Sequence, residues 1–182
     1  MAETESGRVL YATYEGTYVL KLVGDIRVAL CGSLDTFVGN MFTDKRLNSV
    51  LIDLTDARLL DSTALGVLAK ISVHMQRQFQ QRPVIISTNT DVTRVLNSMG
   101  FSRVFDIIDE EPVIERGLVE LPRTEQSVRD MCNKVLEAHR VLMSLNEKNK
   151  ETFKSVVATL ESEQYKQSVN ESVFDPKRPD LH

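Results

Sequence analysis

Residues 51 to 71 read "LIDLTDARLLDSTALGVLAKI" and join two different apolar patterns in one short stretch. The run from Ser49 to Leu54 is rich in apolar and β-branched side chains, which predicts a buried strand. From Ala64 onward apolar residues recur at spacings of three and four, which predicts a helix with one buried face. A strand and a helix therefore meet at the polar pair Asp61-Ser62.

The same alternation of strand and helix patterns extends to both sides of this stretch. Before it we predict a hairpin (Val9–Tyr14 and Thr17–Val23) and a helix (Ser33–Phe42) with Ser33 as its N-cap. After it we predict a strand (Pro83–Ser87), a helix that ends at Gly100-Phe101, a strand (Val104–Ile108) and a short helix near Pro112–Leu118. We therefore expect an α/β domain over residues 9–121, with a mixed β-sheet of four to five strands and helices packed against it.

The chain beyond Leu121-Pro122 has a different pattern. Apolar residues at spacings of three and four predict a helical extension over residues 122–167, either one long helix or a helical hairpin broken near Asn146. This extension would either pack on its own domain or mediate homodimer formation or binding of a second partner. Residues 1–8 are expected to be flexible, and residues 168–182 to form a disordered tail with two prolines.

Composition excludes several classes of function. The chain has 182 residues and a net charge of -4, which does not favour binding to nucleic acid or to anionic lipid. No apolar run approaches the roughly 18 residues that span a bilayer, and no export signal is visible, so we expect a cytoplasmic protein without membrane insertion. Cys31 and Cys132 lack metal-binding spacing and are predicted to be buried, reduced thiols. We expect no metal site and no cofactor.

The pair Asp61-Ser62, where the strand and the helix meet, is called the hinge. The hydroxyl of Ser62 is the candidate nucleophile there, and a nucleophilic serine needs a base within hydrogen-bond reach. His74 lies twelve residues farther along the same predicted helix, roughly 18 Å away at 1.5 Å per residue. His139 belongs to the helical extension and His182 to the predicted tail, so neither is expected to reach Ser62. The sequence therefore predicts a protein that is not an enzyme.

Two other roles remain open for Ser62. Its hydroxyl could be the N-cap of the following helix, which stabilises a helix by about 1 kcal/mol. It could also be a phosphorylation site, because the free N–H groups and positive dipole end of a helix N-terminus tolerate a phosphate. A phosphate would add about -1.5 to -2 charge to a surface that already carries Asp56 and Asp61, and would weaken the binding of a partner there.

Two segments resemble the STAS family (sulfate transporter and anti-sigma-factor antagonist): "LIDLTDARLLDSTALGVL" at 51–68 and "VTRVLNSMGFSRVFDIID" at 92–109. The resemblance covers about residues 9 to 118 and implies the STAS fold. In antagonists of this family a partner kinase phosphorylates the serine that follows the Asp, which here is Ser62, with Thr63 as the alternative acceptor. A PP2C-type phosphatase removes the phosphate. The unphosphorylated form binds an anti-sigma factor that is also the serine kinase, and so frees a sigma factor for bacterial transcription.

The resemblance also implies a partner-binding surface around the hinge. Asp61 would orient the loop or contact the kinase, and Gly66 would permit close approach of a partner because it has no side chain. In "GDIR", at residues 24–27, Arg27 stands where the family commonly has Asp, which alters the charge of the same rim. The expected partner-binding residues are Asp25, Arg27, Asp56, Asp61, Thr63, Leu65 and Gly66. Alternative functions are a non-switching STAS scaffold and the cytoplasmic subunit of a lipid transporter.

Overall fold

The structure is a computed structural model that describes residues 6–111 and 116–173, with side chains up to residue 170. These residues form seven strands, five α-helices and one short 3-10 turn. In chain order the elements are β1 (Arg8–Tyr14), β2 (Thr17–Ile26), α1 (Val28–Thr43), β3 (Ser49–Asp53), β4 (Ala57–Leu60), α2 (Ser62–Phe79), β5 (Val84–Ile86), α3 (Thr90–Ser98), the 3-10 turn (Phe101–Arg103), β6 (Asp106–Ile108), β7 (Val119–Glu120), α4 (Val128–Leu145) and α5 (Glu147–Val173).

The strands form one mixed sheet in the order β6-β5-β3-β2-β1-β7, and β4 pairs with the last residues of β2. The hairpin β1–β2 and the pair β1–β7 are antiparallel, whereas β2, β3, β5 and β6 run parallel to one another. The predicted mixed sheet with packed helices is confirmed. Strands β4 and β7 come in addition to the predicted five. β4 buries only its first and last residues and so shows no alternation, and β7 has only two residues.

The first helix differs from its prediction because it begins at Val28 and not at Ser33. Arg27 precedes it in extended conformation and makes no side-chain cap. The carboxylate of Asp61, from the loop before α2, instead accepts a hydrogen bond from the backbone N–H of Val28 at 2.6 Å. Ser33 therefore lies inside α1, and its hydroxyl oxygen lies 3.0 Å from that of Thr124.

Two predictions near the end of the sheet also change. The last predicted strand begins at Asp106 rather than Val104, because residues 101–103 form a 3-10 turn and the rings of Phe101 and Phe105 stack in the core. The short helix predicted near Pro112–Leu118 falls largely on residues 112–115, which lie outside the described residues. Gly117, which follows them, has a positive φ of 79° and is not helical.

The C-terminal extension is the hairpin of the two predicted alternatives. Asn146 separates α4 from α5, and its side-chain oxygen accepts from the N–H of Asn149 at 2.8 Å. Helix α4 packs against α2, and α5 packs on α4. Helix α5 continues through position 168, where we predicted the tail to begin, because no Pro or Gly interrupts it before Val173. The remainder of that predicted tail, 174–182, lies outside the described residues.

Part of the N-terminal segment that we expected to be flexible is ordered. Ser6 forms a β-bridge with Asp25, and the Arg123 guanidinium donates to the carbonyl oxygen of Gly7 at 2.7 Å. These contacts hold the chain before β1 against the end of β2 and against the segment that leads into α4. Among the described residues, no helix combines the length and hydrophobicity that crossing a membrane requires.

The hydrophobic core lies between the sheet and the helices, and α4 contributes to it through Ala138 and Leu142. Cys31 is buried in this core, where burial, assisted by the negative charges of Asp61 and Asp35, raises the pKa of its thiol. Cys132 is only partly buried, since it lies on α4 near the protein surface, so the prediction that both cysteines are buried is wrong for Cys132.

Candidate functional site

The site is built at the start of α2, directly after β4. The carboxylate of Asp61 accepts hydrogen bonds from two backbone N–H groups, that of Ala64 at 2.9 Å and that of Val28 at 2.6 Å. Asp61 is therefore the N-cap of α2 and also holds the first residue of α1. The predicted N-cap role of Ser62 is wrong, because the carboxylate before it already occupies that position and Ser62 is the first helical residue.

The Ser62 hydroxyl instead contacts the C-terminal hairpin. Its oxygen lies 2.9 Å from Nε2 of His139 on α4, a residue 77 positions away in sequence. The other ring nitrogen, Nδ1, lies 2.7 Å from the carbonyl oxygen of Val135. A carbonyl oxygen only accepts, so Nδ1 carries the proton and, in the neutral ring, Nε2 accepts the hydroxyl proton of Ser62. The expectation that His139 cannot reach Ser62 is wrong, because the hairpin folds back across α2.

A serine bonded to a histidine is one part of a nucleophilic catalytic centre, but the rest of the arrangement differs. The group that orients His139 is a backbone carbonyl and not the carboxylate of a catalytic triad. Two clefts, of about 740 Å³ and about 710 Å³, lie around α3, and neither is lined by Ser62 or His139. Within residues 6–111 and 116–173, no cluster of His, Cys, Asp and Glu could hold a metal ion.

The predicted contact residues that follow Ser62 face inward. Thr63 is 4% exposed and Leu65 is 2% exposed. A Cβ atom built at Gly66 would lie 2.3 Å from the carbonyl oxygen of Ala138, far inside van der Waals contact. The close approach expected at Gly66 is therefore made by α4 of the same chain.

The remaining predicted residues divide into two groups. Asp25 and Arg27 lie with Asp61 at the same end of β2 and β4, where the Arg27 and Arg58 side chains lie 3.2 and 3.5 Å from the Asp25 carboxylate. Asp56 lies at the opposite end of β4 and pairs with Lys21 at 2.7 Å. The structure therefore separates Asp56 from the other predicted contact residues.

Lys21 joins Asp56 to a second carboxylate, that of Asp53, which is 1% exposed and lies 3.3 Å from the ammonium. Burial alone would lower the pKa of Lys21, but its hydrogen bonds and ion pairs with the two aspartates outweigh this effect and raise it. The pair Lys21–Asp53 is thus a charged structural contact between the adjacent central strands β2 and β3.

Sequence reasoning missed the ionic contacts that hold α4 in place. Lys70 on α2 bonds Asp35 of α1 at 2.6 Å and Glu137 of α4 at 3.0 Å. Burial would lower the pKa of Lys70, but the hydrogen bonds to these two carboxylates outweigh it and raise the pKa. The apolar stripe of α4 predicted that it packs on something, but no sequence signal identified α2 as the surface or His139 as the partner of Ser62.

Comparison with known proteins assigns residues 8–113 to a family. The model of the STAS domain matches residues 8–113, which is more than half of the chain and leaves α4 and α5 outside. No curated protein matches the chain in sequence.

Two solved structures are similar in fold. An anti-sigma factor antagonist from Mycobacterium paratuberculosis superposes with a TM-score of 0.50 and 18% identity, over 60% of this chain and 92% of that one. The anti-sigma factor antagonist SpoIIAA in its unphosphorylated form gives a TM-score of 0.48 and 12% identity, over 57% of this chain and 89% of that one. From the family match over residues 8–113, the chain belongs to the STAS domain family.

Proposed function

We propose that this protein is an anti-sigma-factor antagonist that acts as a phosphorylation-controlled partner switch at Ser62. Its unphosphorylated form binds a cytoplasmic anti-sigma factor with serine kinase activity, phosphorylation releases that partner, and a PP2C-type phosphatase restores the binding form. Membership in the STAS family supports this function, as does the likeness in fold to a protein described as an anti-sigma factor antagonist.

The observation that carries the proposal is the identity of the cap. Asp61 caps α2, so the Ser62 hydroxyl is not required to hold the helix start. A phosphate on Ser62 would lie at the positive end of the α2 dipole without removing the cap. Thr63 has the same chemistry but is 4% exposed, which favours Ser62 as the acceptor.

Phosphorylation would act on binding through charge. The kinase transfers the γ-phosphoryl group of ATP to the Ser62 oxygen, the hydroxyl proton is released, and ADP leaves. The product adds about -1.5 to -2 charge beside Asp61, and a partner docked there must pair or desolvate that charge. Arg27 and Arg58 are exposed at the same rim, where both pair with Asp25, and they are cations that an acidic partner group would meet there.

We propose no catalytic activity for the Ser62–His139 pair, because a backbone carbonyl orients the histidine. The rival within the fold is a non-switching STAS subunit, of a scaffold or of a lipid transporter, in which Ser62 serves only packing. That rival predicts that no phosphorylated form accumulates in cells. Self-association through the C-terminal hairpin stays a prediction, and the apolar residues that α4 buries within the chain would not contribute to it.

The test is phosphopeptide mapping of the protein purified from its native cells. Trypsin cleaves after Arg58 and Lys70, so Ser62 and Thr63 share the peptide 59–70, and fragmentation between them assigns the phosphate. We expect the phosphate on Ser62, and none on this peptide in a Ser62→Ala strain. Phosphate confined to Thr63, or a peptide that is unmodified in every growth state, would contradict the proposal.

Binding provides the second readout. A Ser62→Asp chain used as bait should retain less of the kinase than wild type, because the carboxylate adds charge at the interface. Ser98→Asp, at the end of α3, is the control for added charge alone, and it should retain as much kinase as wild type. If Ser62→Asp and wild type retained equal amounts of kinase, added charge would not be the mechanism by which phosphorylation releases the partner.

A further inference from the structure

Helix α4 covers the surface of α2 that the proposed switch requires. His139 bonds the Ser62 hydroxyl, and the carbonyl of Ala138 lies where any side chain at position 66 would have to be. Ala138 and His139 are 1% and 5% exposed. A partner that docks on the start of α2 and the seated α4 would therefore occupy the same space.

The contact of α4 with α1 and α2 has an apolar part and an ionic part. Glu137 bonds Lys70 of α2, and the Lys134 ammonium donates to the Gly32 carbonyl at 3.0 Å and lies 3.6 Å from the Asp35 carboxylate of α1. The apolar centre of this contact is Ala138 and Leu142, and the ion pairs around it give it the mixed composition that interfaces between units of one chain commonly have. The charges flank the apolar centre of the contact, so a partner with similar charges could replace α4.

We propose that α4 is a built-in competitor of the partner: α4 and the partner exclude each other at the start of α2, and a phosphate on Ser62 excludes α4. This inference rests on the proposed function for the identity of the surface, whereas the exclusion of α4 by phosphate concerns this chain alone. The α4–α5 hairpin thereby sets how much of the unphosphorylated protein is available to bind.

The geometry at Ser62 explains why a phosphate and α4 cannot coexist. Phosphorylation replaces the hydroxyl proton of Ser62 with a phosphoryl group, whose oxygens need space next to an imidazole that lies only 2.9 Å from the Ser62 oxygen. The ring cannot turn away freely, because Nδ1 is bonded to Val135 and the Phe153 ring packs edge-on at 5.4 Å. Ser62 is itself only partly exposed, and on its α4 side the space that a phosphoryl group needs is filled by His139, which is 5% exposed. We therefore infer that α4 moves away.

A competitor on the same chain lowers the apparent affinity for the partner. The observed dissociation constant is the intrinsic one divided by the fraction of molecules in which α4 has left the surface. A substitution in α4 that weakens its packing on α2, without changing α2, should therefore strengthen partner binding and speed phosphorylation of Ser62.

The first experiment needs no kinase. The full chain is made with phosphoserine at position 62 by genetic code expansion, and amide hydrogen exchange is followed in α4, residues 128–145. We expect exchange in α4 to rise about tenfold or more relative to the unmodified chain, while β2 and β3 keep their protection. Phosphoserine at Ser155, which is exposed on α5, is the control and should leave α4 protected. Unchanged exchange in α4 of the phosphoserine-62 chain overturns the inference.

The second experiment changes α4 and leaves the STAS surface intact. Ala138→Leu enlarges the side chain that lies against Gly66, and Ser144→Leu adds a similar side chain at an exposed position of the same helix. In an extract of the native cells supplied with labelled ATP, Ser62 of Ala138→Leu should be phosphorylated about fivefold faster or more, and Ser144→Leu should match wild type.

The outcomes separate this inference from the function on which it rests. Equal phosphorylation rates in wild type and Ala138→Leu, with faster exchange in α4 of the variant, would overturn competition and leave the switch at Ser62 intact. No phosphorylation of Ser62 in any variant would contradict the proposed function. The exchange measurement on the phosphoserine-62 chain would still decide whether a phosphate excludes α4.

Discussion

The starts of α2 and α4 each carry a serine, and the two serines make different contacts. Ser127 caps α4 locally, since its oxygen accepts from the N–H of Asp130 at 3.0 Å and its hydroxyl donates to the Asp130 carboxylate at 2.6 Å. At α2 the carboxylate of Asp61 takes the cap, and the Ser62 hydroxyl reaches His139 on another element. A serine at a helix start is thus free for a long-range contact when the residue before it supplies the cap.

The largest expected difference between the two helix starts is in how much the loss of each cap lowers the free energy of unfolding. Asp61→Ala removes the acceptor of two backbone N–H groups, on α1 and α2, and we expect it to lower the free energy of unfolding by about 2 kcal/mol. Ser127→Ala removes the cap of α4 alone, and should cost about 1 kcal/mol. Urea denaturation at neutral pH measures both.

Asp61→Asn is the control for this comparison. Its amide has one acceptor oxygen where the carboxylate has two, so one of the two N–H groups loses its partner and the loss should be about half that of Asp61→Ala. A cost for Asp61→Ala no greater than that for Ser127→Ala would contradict the role of Asp61 in joining two helices.

A smaller expected effect is the coupling energy with His139, which should differ between Ser62 and Ser127. In a double-mutant cycle of Ser62→Ala with His139→Phe, we expect a coupling energy of about 1 kcal/mol, because the two side chains share one hydrogen bond. The same cycle with Ser127→Ala in place of Ser62→Ala should be additive within about 0.3 kcal/mol, since Ser127 bonds only within its own turn. Additivity in both cycles would mean that the Ser62–His139 contact contributes nothing to the seating of α4.

Much of the fold was predictable because it rests on local periodicity. The patterns of the β1–β2 hairpin, β3, α2 and the Asn146 break of the C-terminal extension are visible over a few residues each. The start of α1 was not predictable in this way. Its first N–H is bonded by Asp61, 33 residues later, so no signal near Val28 marks the helix start.

The candidate site also has one part that was predictable from local sequence and one part that depends on distant residues. Asp61 and Ser62 stood out because an acidic residue and a hydroxyl interrupt an apolar sequence between a strand and a helix. The partner of Ser62 did not stand out, since His139 lies 77 residues away and its apolar neighbours fit packing on any surface. Which face of α2 the hairpin covers depends on tertiary packing, and spacing along one helix does not encode it.

The most direct test of the account is the distance between α1 and α4 with and without a phosphate on Ser62. Spin labels are placed at Gly39→Cys, where a Cβ meets no atom within 4 Å, and at Ser144→Cys, with Cys132→Ser to leave only the buried Cys31 unlabelled. Pulsed electron resonance should give one narrow distance distribution for the unmodified chain. Phosphoserine at position 62 should add a population at longer distances, because α4 has left α2. The same narrow distribution in both chains would contradict the claim that α4 and a phosphorylated Ser62 exclude each other.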